Sequence, residues 1–363
     1  MDIIIKDTLL DYKYYQEQYT NIDFINTLFF DIETTGFTAK NSHIYMIGVL
    51  YVCKETHTFK TIQWFLEDCN NENLIISEFK NFLYNYKTII HFNGKGFDIP
   101  YLEAKAETYG IALNFNTFEH IDLYKVSSKL KKILKTENLK QKTLEQFFSL
   151  NRDDQFTGKE LINVYKEYLL KKDNNLKNFL LLHNYEDLKG MLTVINILAY
   201  DNIFRKQYSY TNLNYNNDTN EIIIEMELLT PLLKRVSYQS NEIYFTAYDN
   251  KIKLMLKLYN GTLKFFYENY KDYYYLPLED QAIHKSLAFC VDKEYREKAK
   301  ACNCYIKKEG YFLPQYTSKI TPSFKQNHND KIMYFEYTDE FTNSEILITQ
   351  YVSHILEYLL NSG

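Results

Sequence analysis

The segment Leu28-Phe29-Phe30-Asp31-Ile32-Glu33-Thr34-Thr35-Gly36 places two carboxylates at i and i+2 within an apolar run. On a β-strand that spacing turns both side chains to the same face. Two like charges side by side at a strand end are unfavourable unless something cationic sits between them, and a divalent metal is the natural candidate. An isolated Asp-x-Glu also describes a solvated strand end. The Thr-Thr-Gly that follows narrows the reading, because a glycine-containing turn lets a ligand approach the backbone closely. With only 10 glycines in 363 residues, each is expected to mark a backbone position that needs one.

Gly94 and Gly96 fall in a second segment, Ile89-Ile90-His91-Phe92-Asn93-Gly94-Lys95-Gly96-Phe97-Asp98. An apolar strand runs into a loop, and Asp98 opens the following helix. The loop lacks the Gly-x4-Gly-Lys-Ser/Thr spacing of a phosphate-binding P-loop. Oxygen ligands converging from two elements at a sheet edge suit a hard cation such as Mg²⁺ or Mn²⁺. A third segment, Leu182-His183-Asn184-Tyr185-Glu186-Asp187-Leu188, has helical periodicity. His183 and Asp187 are i and i+4 and share a helix face, so a titratable imidazole sits beside a carboxylate. Alone, that pair also describes a surface helix.

Hydrophobic periodicity predicts strands at Thr27–Asp31, His43–Cys53, Thr58–Phe65 and Thr88–Phe92, and another ending near Asp122. Helices are predicted at Leu74–Tyr86 and Phe97–Tyr109, with mainly helical structure from Asp122 to about Tyr200. A mixed sheet of five strands with flanking helices follows, an α/β arrangement. The Asn-rich patch Tyr210–Asn220 is the best linker candidate, which gives domains at 1–208 and 221–363. Beyond it the period changes to two, as in Ile252, Leu254, Leu256 and Leu258. Asn260-Gly261 reads as a hairpin turn, and Asp292–Ala301 and Glu345–Leu360 as helices. The second domain is therefore expected to be α+β with β-hairpins.

Composition adds exclusions. Apolar residues at 45% and charged residues at 25% are ordinary for a globular chain. No apolar run approaches the roughly 20 residues needed to span a bilayer, and the first ten residues lack a secretory pattern, so a cytoplasmic protein without membrane association is expected. Five cysteines, including Cys302 and Cys304, are expected to be reduced thiols. A net charge of -5 offers no overall attraction to a polyanion, which would have to be met by metal or local basic patches. Lys125, Lys129, Lys131, Lys132 and Lys135 form one such run, as a phosphate-tracking face or as a solvated helix.

The three acidic segments together resemble the DEDD family of 3′-5′ exonucleases in the ribonuclease H-like superfamily, and most closely the YprB-type domain. Asp31-Ile32-Glu33-Thr34-Thr35-Gly36 matches the first motif, Asn93-x3-Phe97-Asp98 the second and His183-x3-Asp187 the third. Thr143-Leu144-Glu145, Arg152 and Gly158 fit that subgroup too, and the resemblance covers roughly residues 25–200. It implies a ribonuclease H-like fold and two-metal phosphodiester hydrolysis at single-stranded DNA or RNA 3′ ends. Asp31, Glu33, Asp98 and Asp187 would hold two Mg²⁺ or Mn²⁺ ions, with His183 as base. Thr34, Thr35, Gly36 and Asn93 would seat the terminal nucleotide. The family pattern has tyrosine four residues before the last aspartate or histidine five before it; here histidine stands at the four-residue spacing. A catalytically inactive nucleic-acid-binding or partner-recruiting module and a structure-selective endonuclease are the alternatives. The role of residues 221–363 and any protein partners are left open by the sequence.

Overall fold

The computed structural model describes residues 1–153 and 158–361. Contacts divide the chain into two compact units, Met1–Asp201 and Asn202–Gly363. In the first, strands β1 (Asp2–Asp11), β2 (Thr27–Thr34), β3 (Ile44–Cys53), β4 (Thr58–Phe65), β5 (Thr88–His91) and β6 (Glu119–Asp122) form one sheet in the order β1-β4-β3-β2-β5-β6. The helices are α1 (Tyr12–Gln18), α2 (Glu72–Leu83), α3 (Asp98–Thr108), α4 (Leu123–Lys129), α5 (Lys131–Leu134), α6 (Gln141–Phe147), α7 (Gly158–Lys171), α8 (Asn174–Val194) and α9 (Ile197–Phe204).

The sheet has six strands rather than the expected five. The extra strand, β1, pairs antiparallel with β4 at the edge. Ile3 and Ile5 are exposed there, so the apolar periodicity that marks a strand with one buried face is weak in that segment. β4, β3 and β2 are antiparallel, whereas β2, β5 and β6 run parallel. Parallel strands bring their C-terminal ends to one edge. The end of β2 and the loop after β5, which carry the first two acidic segments, are thereby made neighbours.

Alternation decides which residues meet which layer. Phe30, Ile32, Val49 and Trp64 share a core with Ile76 and Phe79 of α2 and Leu102 of α3. Tyr45 and Met46 of β3 and Phe65 of β4 pack with Tyr165 of α7 and Leu181 of α8. Asp31 and Glu33 alternate with Phe30 and Ile32, so they face the α8 side of the sheet.

The second unit is β-rich. Its strands are β7 (Tyr208–Asn216), β8 (Glu221–Gln239), β9 (Ile243–Lys257), β10 (Tyr259–Phe266), β11 (Tyr273–Leu276), β12 (Gln281–His284), β13 (Glu297–Lys298), β14 (Tyr305–Gln315) and β15 (Met333–Glu336). They form three sheets of three strands, β7-β8-β9, β10-β14-β15 and β12-β11-β13. A short helix α10 (Asp339–Thr342) precedes the long α11 (Glu345–Asn361), whose Tyr351 hydroxyl donates to the Pro314 carbonyl of β14.

Three local expectations are corrected. The Asn-rich patch is strand β7 and its turn, not a linker: its backbone pairs with β8 from Tyr208 to Asn216, and ladder hydrogen bonds form whatever the side-chain polarity. Asn260-Gly261 lies inside β10, opposite Tyr311 and Gly310 of β14. Gly261 has a φ of 151°, and a Cβ there would stand 3.3 Å from the Tyr259 hydroxyl, so the glycine serves a close ring contact rather than a turn. Asp292–Ala301 holds a single 3₁₀ turn and then β13, which pairs with Tyr274 and Tyr275. No helix among the described residues is long and apolar enough to cross a membrane.

Candidate metal centre

Three separate elements deliver the acids. Asp31 and Glu33 come from β2, Asp98 from the first turn of α3, and Asp187 from the middle of α8. Asp98 reaches back across the parallel β2–β5 junction, where its Oδ1 accepts from the backbone N–H of Ile32 at 3.3 Å. The His183 Nε2 lies 3.1 Å from Asp187 Oδ2 and 3.8 Å from Glu33 Oε1. Oxygen and nitrogen ligand atoms of Glu33, His183 and Asp187 all fall within 4.8 Å of one another. Tyr185 points elsewhere, its ring lying under the Lys6 ammonium.

The electrostatics are those of acids crowded out of water. Burial raises Asp31 well above the usual carboxylate range, and the charges of Asp187, Glu33 and Asp98 add to it. Burial pushes Glu33 up to about 7, against the favourable charge of His183. Burial likewise pushes Asp98 up to about 7, although its own backbone amide and that of Ile32 oppose the shift. Such a set stays ionised at neutral pH only when positive charge is supplied. The donor set, buried carboxylate oxygens with one imidazole, fits a hard divalent cation.

Neighbouring residues hold the acids in place. The Asn184 side-chain amide donates to Asp31 Oδ2 at 2.9 Å, and the Tyr45 hydroxyl reaches Glu33 Oε2 at 3.5 Å. Asn184 was not singled out by sequence reasoning, and neither was Gln63, whose Nε2 donates to Asn184 Oδ1 at 2.9 Å and to the Leu181 carbonyl at 2.8 Å. The available signal was Gly48 within the apolar strand β3: a Cβ there would stand 1.9 Å from Asn184 Oδ1.

The remaining sequence candidates divide. Asn93, at a φ of 61°, lines an open cleft of about 670 Å³ together with Asp31, Asp98, Asp187, Phe92, Phe97, Tyr124, Lys131 and Lys140. Of the lysine run, Lys131 alone borders this cleft. The Thr34 hydroxyl donates to the Gly36 carbonyl at 2.8 Å, and Thr35 Oγ1 accepts from the His43 amide at 2.9 Å. The Thr34 hydroxyl is thus tied to the turn, while Thr35 Oγ1 serves there as an acceptor. Gly36 packs closely there, since a Cβ would stand 3.1 Å from Ser42 Cβ.

Residues 28–199 match the sequence model of the RNase_H superfamily. No curated protein matches the sequence. Among solved structures, the family B DNA polymerase of Pyrobaculum calidifontis is similar at 14% identity and a TM-score of 0.38, over 68% of this chain and 35% of the polymerase. The zinc-bound E. coli ExoI–ssDNA complex is similar at 11% and 0.28, over 56% of this chain and 54% of that one. The Aedes aegypti Nibbler EXO domain is similar at 11% and 0.33, over 54% of this chain and 94% of that domain. The chain therefore spans about a third of the polymerase and about half of ExoI. The first unit carries a ribonuclease H-like fold, a mixed six-stranded sheet with flanking helices, and a β-rich region follows it.

Proposed function

We propose that the ribonuclease H-like domain is a divalent-metal-dependent nuclease that removes nucleotides from single-stranded 3′ ends. The observation that carries this reading is the convergence of four carboxylates from three elements beside a half-polar cleft, with burial raising Asp31, Glu33 and Asp98. A purely structural cluster of this kind would oppose folding without return. Asp31, Glu33, Asp98 and Asp187 would hold Mg²⁺ or Mn²⁺, which when bound neutralises the carboxylates, acidifies the attacking water and stabilises the leaving oxygen.

The chain's own residues do the remaining work. His183 takes up the proton of the attacking water at Nε2, the ring nitrogen that faces Glu33 and Asp187. Phe92 and Tyr124, whose ring centroids are 5.8 Å apart, offer an aromatic wall to a terminal base. Lys131 and Lys140 on the cleft rim meet backbone phosphate. The 3′-5′ polarity is supported by the order and spacing of the three acidic motifs.

The test is digestion of 5′-labelled and 3′-labelled single-stranded DNA and RNA with Mg²⁺ or Mn²⁺, comparing wild type with Asp31→Asn. A ladder of 5′-labelled products shortening with time, absent from the variant, is expected. Internal cleavage products would replace the exonuclease reading with an endonuclease one, and undiminished activity of Asp31→Asn would remove the site assignment.

A further inference from the structure

Asp31, Glu33 and Asp98 are held by an amide, a phenol and a backbone N–H, but Asp187 lies between two bases. His183 Nε2 is 3.1 Å from Oδ2, and Arg152 Nη1 is 2.6 Å from Oδ1. The Arg152 guanidinium is itself locked, because its Nε and Nη2 fork onto the two carboxylate oxygens of Glu145 on α6. Glu145 is 1% exposed. Gln141 Nε2 bridges the same two residues, donating to Glu145 Oε1 at 2.9 Å and to the Asp187 carbonyl at 2.7 Å. Room for the Glu145 carboxylate against α8 exists only because residue 190 is glycine: a Cβ there would stand 1.9 Å from Glu145 Oε1.

As glue between α6 and α8 this is a poor choice, since a buried ion pair loses hydration that a packed apolar pair never had. Its geometry instead resembles the outer contacts that orient ligands around metals. We propose that Arg152, locked by Glu145, is a positioning residue: its ion pair with Asp187 Oδ1 holds the carboxylate turned so that Oδ2 faces His183 and Glu33, where a divalent cation would be held. The proposal rests on the metal-dependent reading above and adds to it the residue pair that orients one of the four acids.

The test is calorimetric titration of Mn²⁺ into the full-length protein, read alongside thermal melting and oligonucleotide digestion at saturating Mn²⁺. Arg152→Lys keeps the charge but loses the fork, and Glu145→Gln keeps the shape but frees the guanidinium. Each is compared in the wild-type and the Asp187→Asn background. Both single variants should weaken Mn²⁺ binding roughly 10-fold or more and lower the rate, and neither should weaken it further once the Asp187 carboxylate is gone. Should Arg152→Lys fail to fold, the near-isosteric Glu145→Gln carries the same comparison. Unchanged Mn²⁺ affinity in the folded variants, or equal losses with and without the Asp187 carboxylate, would overturn the positioning role and leave the nuclease reading standing. A wild-type protein that takes up no Mn²⁺ would overturn both.

Discussion

Asn184 and Asp31 are joined across the interface of α8 and β2 by a 2.9 Å hydrogen bond from amide to carboxylate. The same amide accepts from Gln63 on β4, so one buried residue ties the first acidic motif to the helix bearing the third. Asn184→Ala should cost about 1–3 kcal/mol and lower metal affinity. Gly48→Ala should have the same effects without touching any site residue, because its methyl group would occupy the position of the Asn184 oxygen. Denaturant melts and Mn²⁺ titration of both variants check this, and a Gly48→Ala protein with normal metal affinity would contradict it.

Asp98 is expected to trade stability for activity. Its folded-state pKa, about 7, lies above the ordinary 3.8, so between those values the folded protein binds the extra proton. Stability of the metal-free protein from this group therefore falls as pH rises through that window, and the loss is complete above 7. Asp98→Asn should melt several degrees higher than wild type at pH 8 without metal, with the advantage disappearing near pH 4, and should show no nuclease activity. Melting curves in chelator at the two pH values provide the measurement.

His91 works in the opposite direction. The His120 Nε2 is 2.9 Å from the Phe115 carbonyl, the His120 Nδ1 is 3.3 Å from His91 Nε2, and the Gly94 amide donates to His91 Nδ1 at 3.1 Å. That relay is satisfied by two neutral rings. Burial holds His91 down to about 4, below the ordinary 6.5, despite the nearby Asp122 carboxylate. The unfolded chain then binds the extra proton between those values, so stability from this group is intact above 6.5 and is lost as pH falls toward 4. The full loss is on the order of 3 kcal/mol. The stability difference between wild type and His91→Gln, followed from pH 7 to 4, should shrink by that order; a constant difference would refute the assignment.

Lys131 and Lys140 border the cleft, and among the described residues neither forms a salt bridge with Asp31, Glu33, Asp98 or Asp187. Replacing both with alanine should raise KM for a single-stranded oligonucleotide several-fold with little change in kcat. It should also flatten the dependence of binding on salt, since fewer counterions are released. Steady-state kinetics at two ionic strengths distinguish this from a loss of kcat, which would place the lysines in the chemistry instead.

Much of the site was legible in sequence because its signals are short in range. The i, i+2 acids need only a strand, the i, i+4 pair of His183 and Asp187 only a helix, and the glycine loop before Asp98 only local turn chemistry. The strand and helix successions from Thr27 to Asp122 follow from hydrophobic periods of two and 3.6, and the structure reproduces them within a few residues. Asn260-Gly261 shows the limit of that logic. Its residues permit a turn but do not compel one, and pairing with β14 across about fifty residues took precedence.

The sequence by itself therefore determined which acids exist, which element carries each and which face of that element they occupy. Only the tertiary structure decided how they are held: Asn184 against Gly48, Arg152 forked onto Glu145, and Glu145 admitted by Gly190. Asn184 and Gly48, and Glu145 and Gly190, are tens to more than a hundred residues apart, and the seven-residue spacing of Glu145 and Arg152 does not by itself dictate a fork. Steric room opened by a glycine and the desolvation of a buried charge act through space, so they become visible only when the sheet and α8 are brought together.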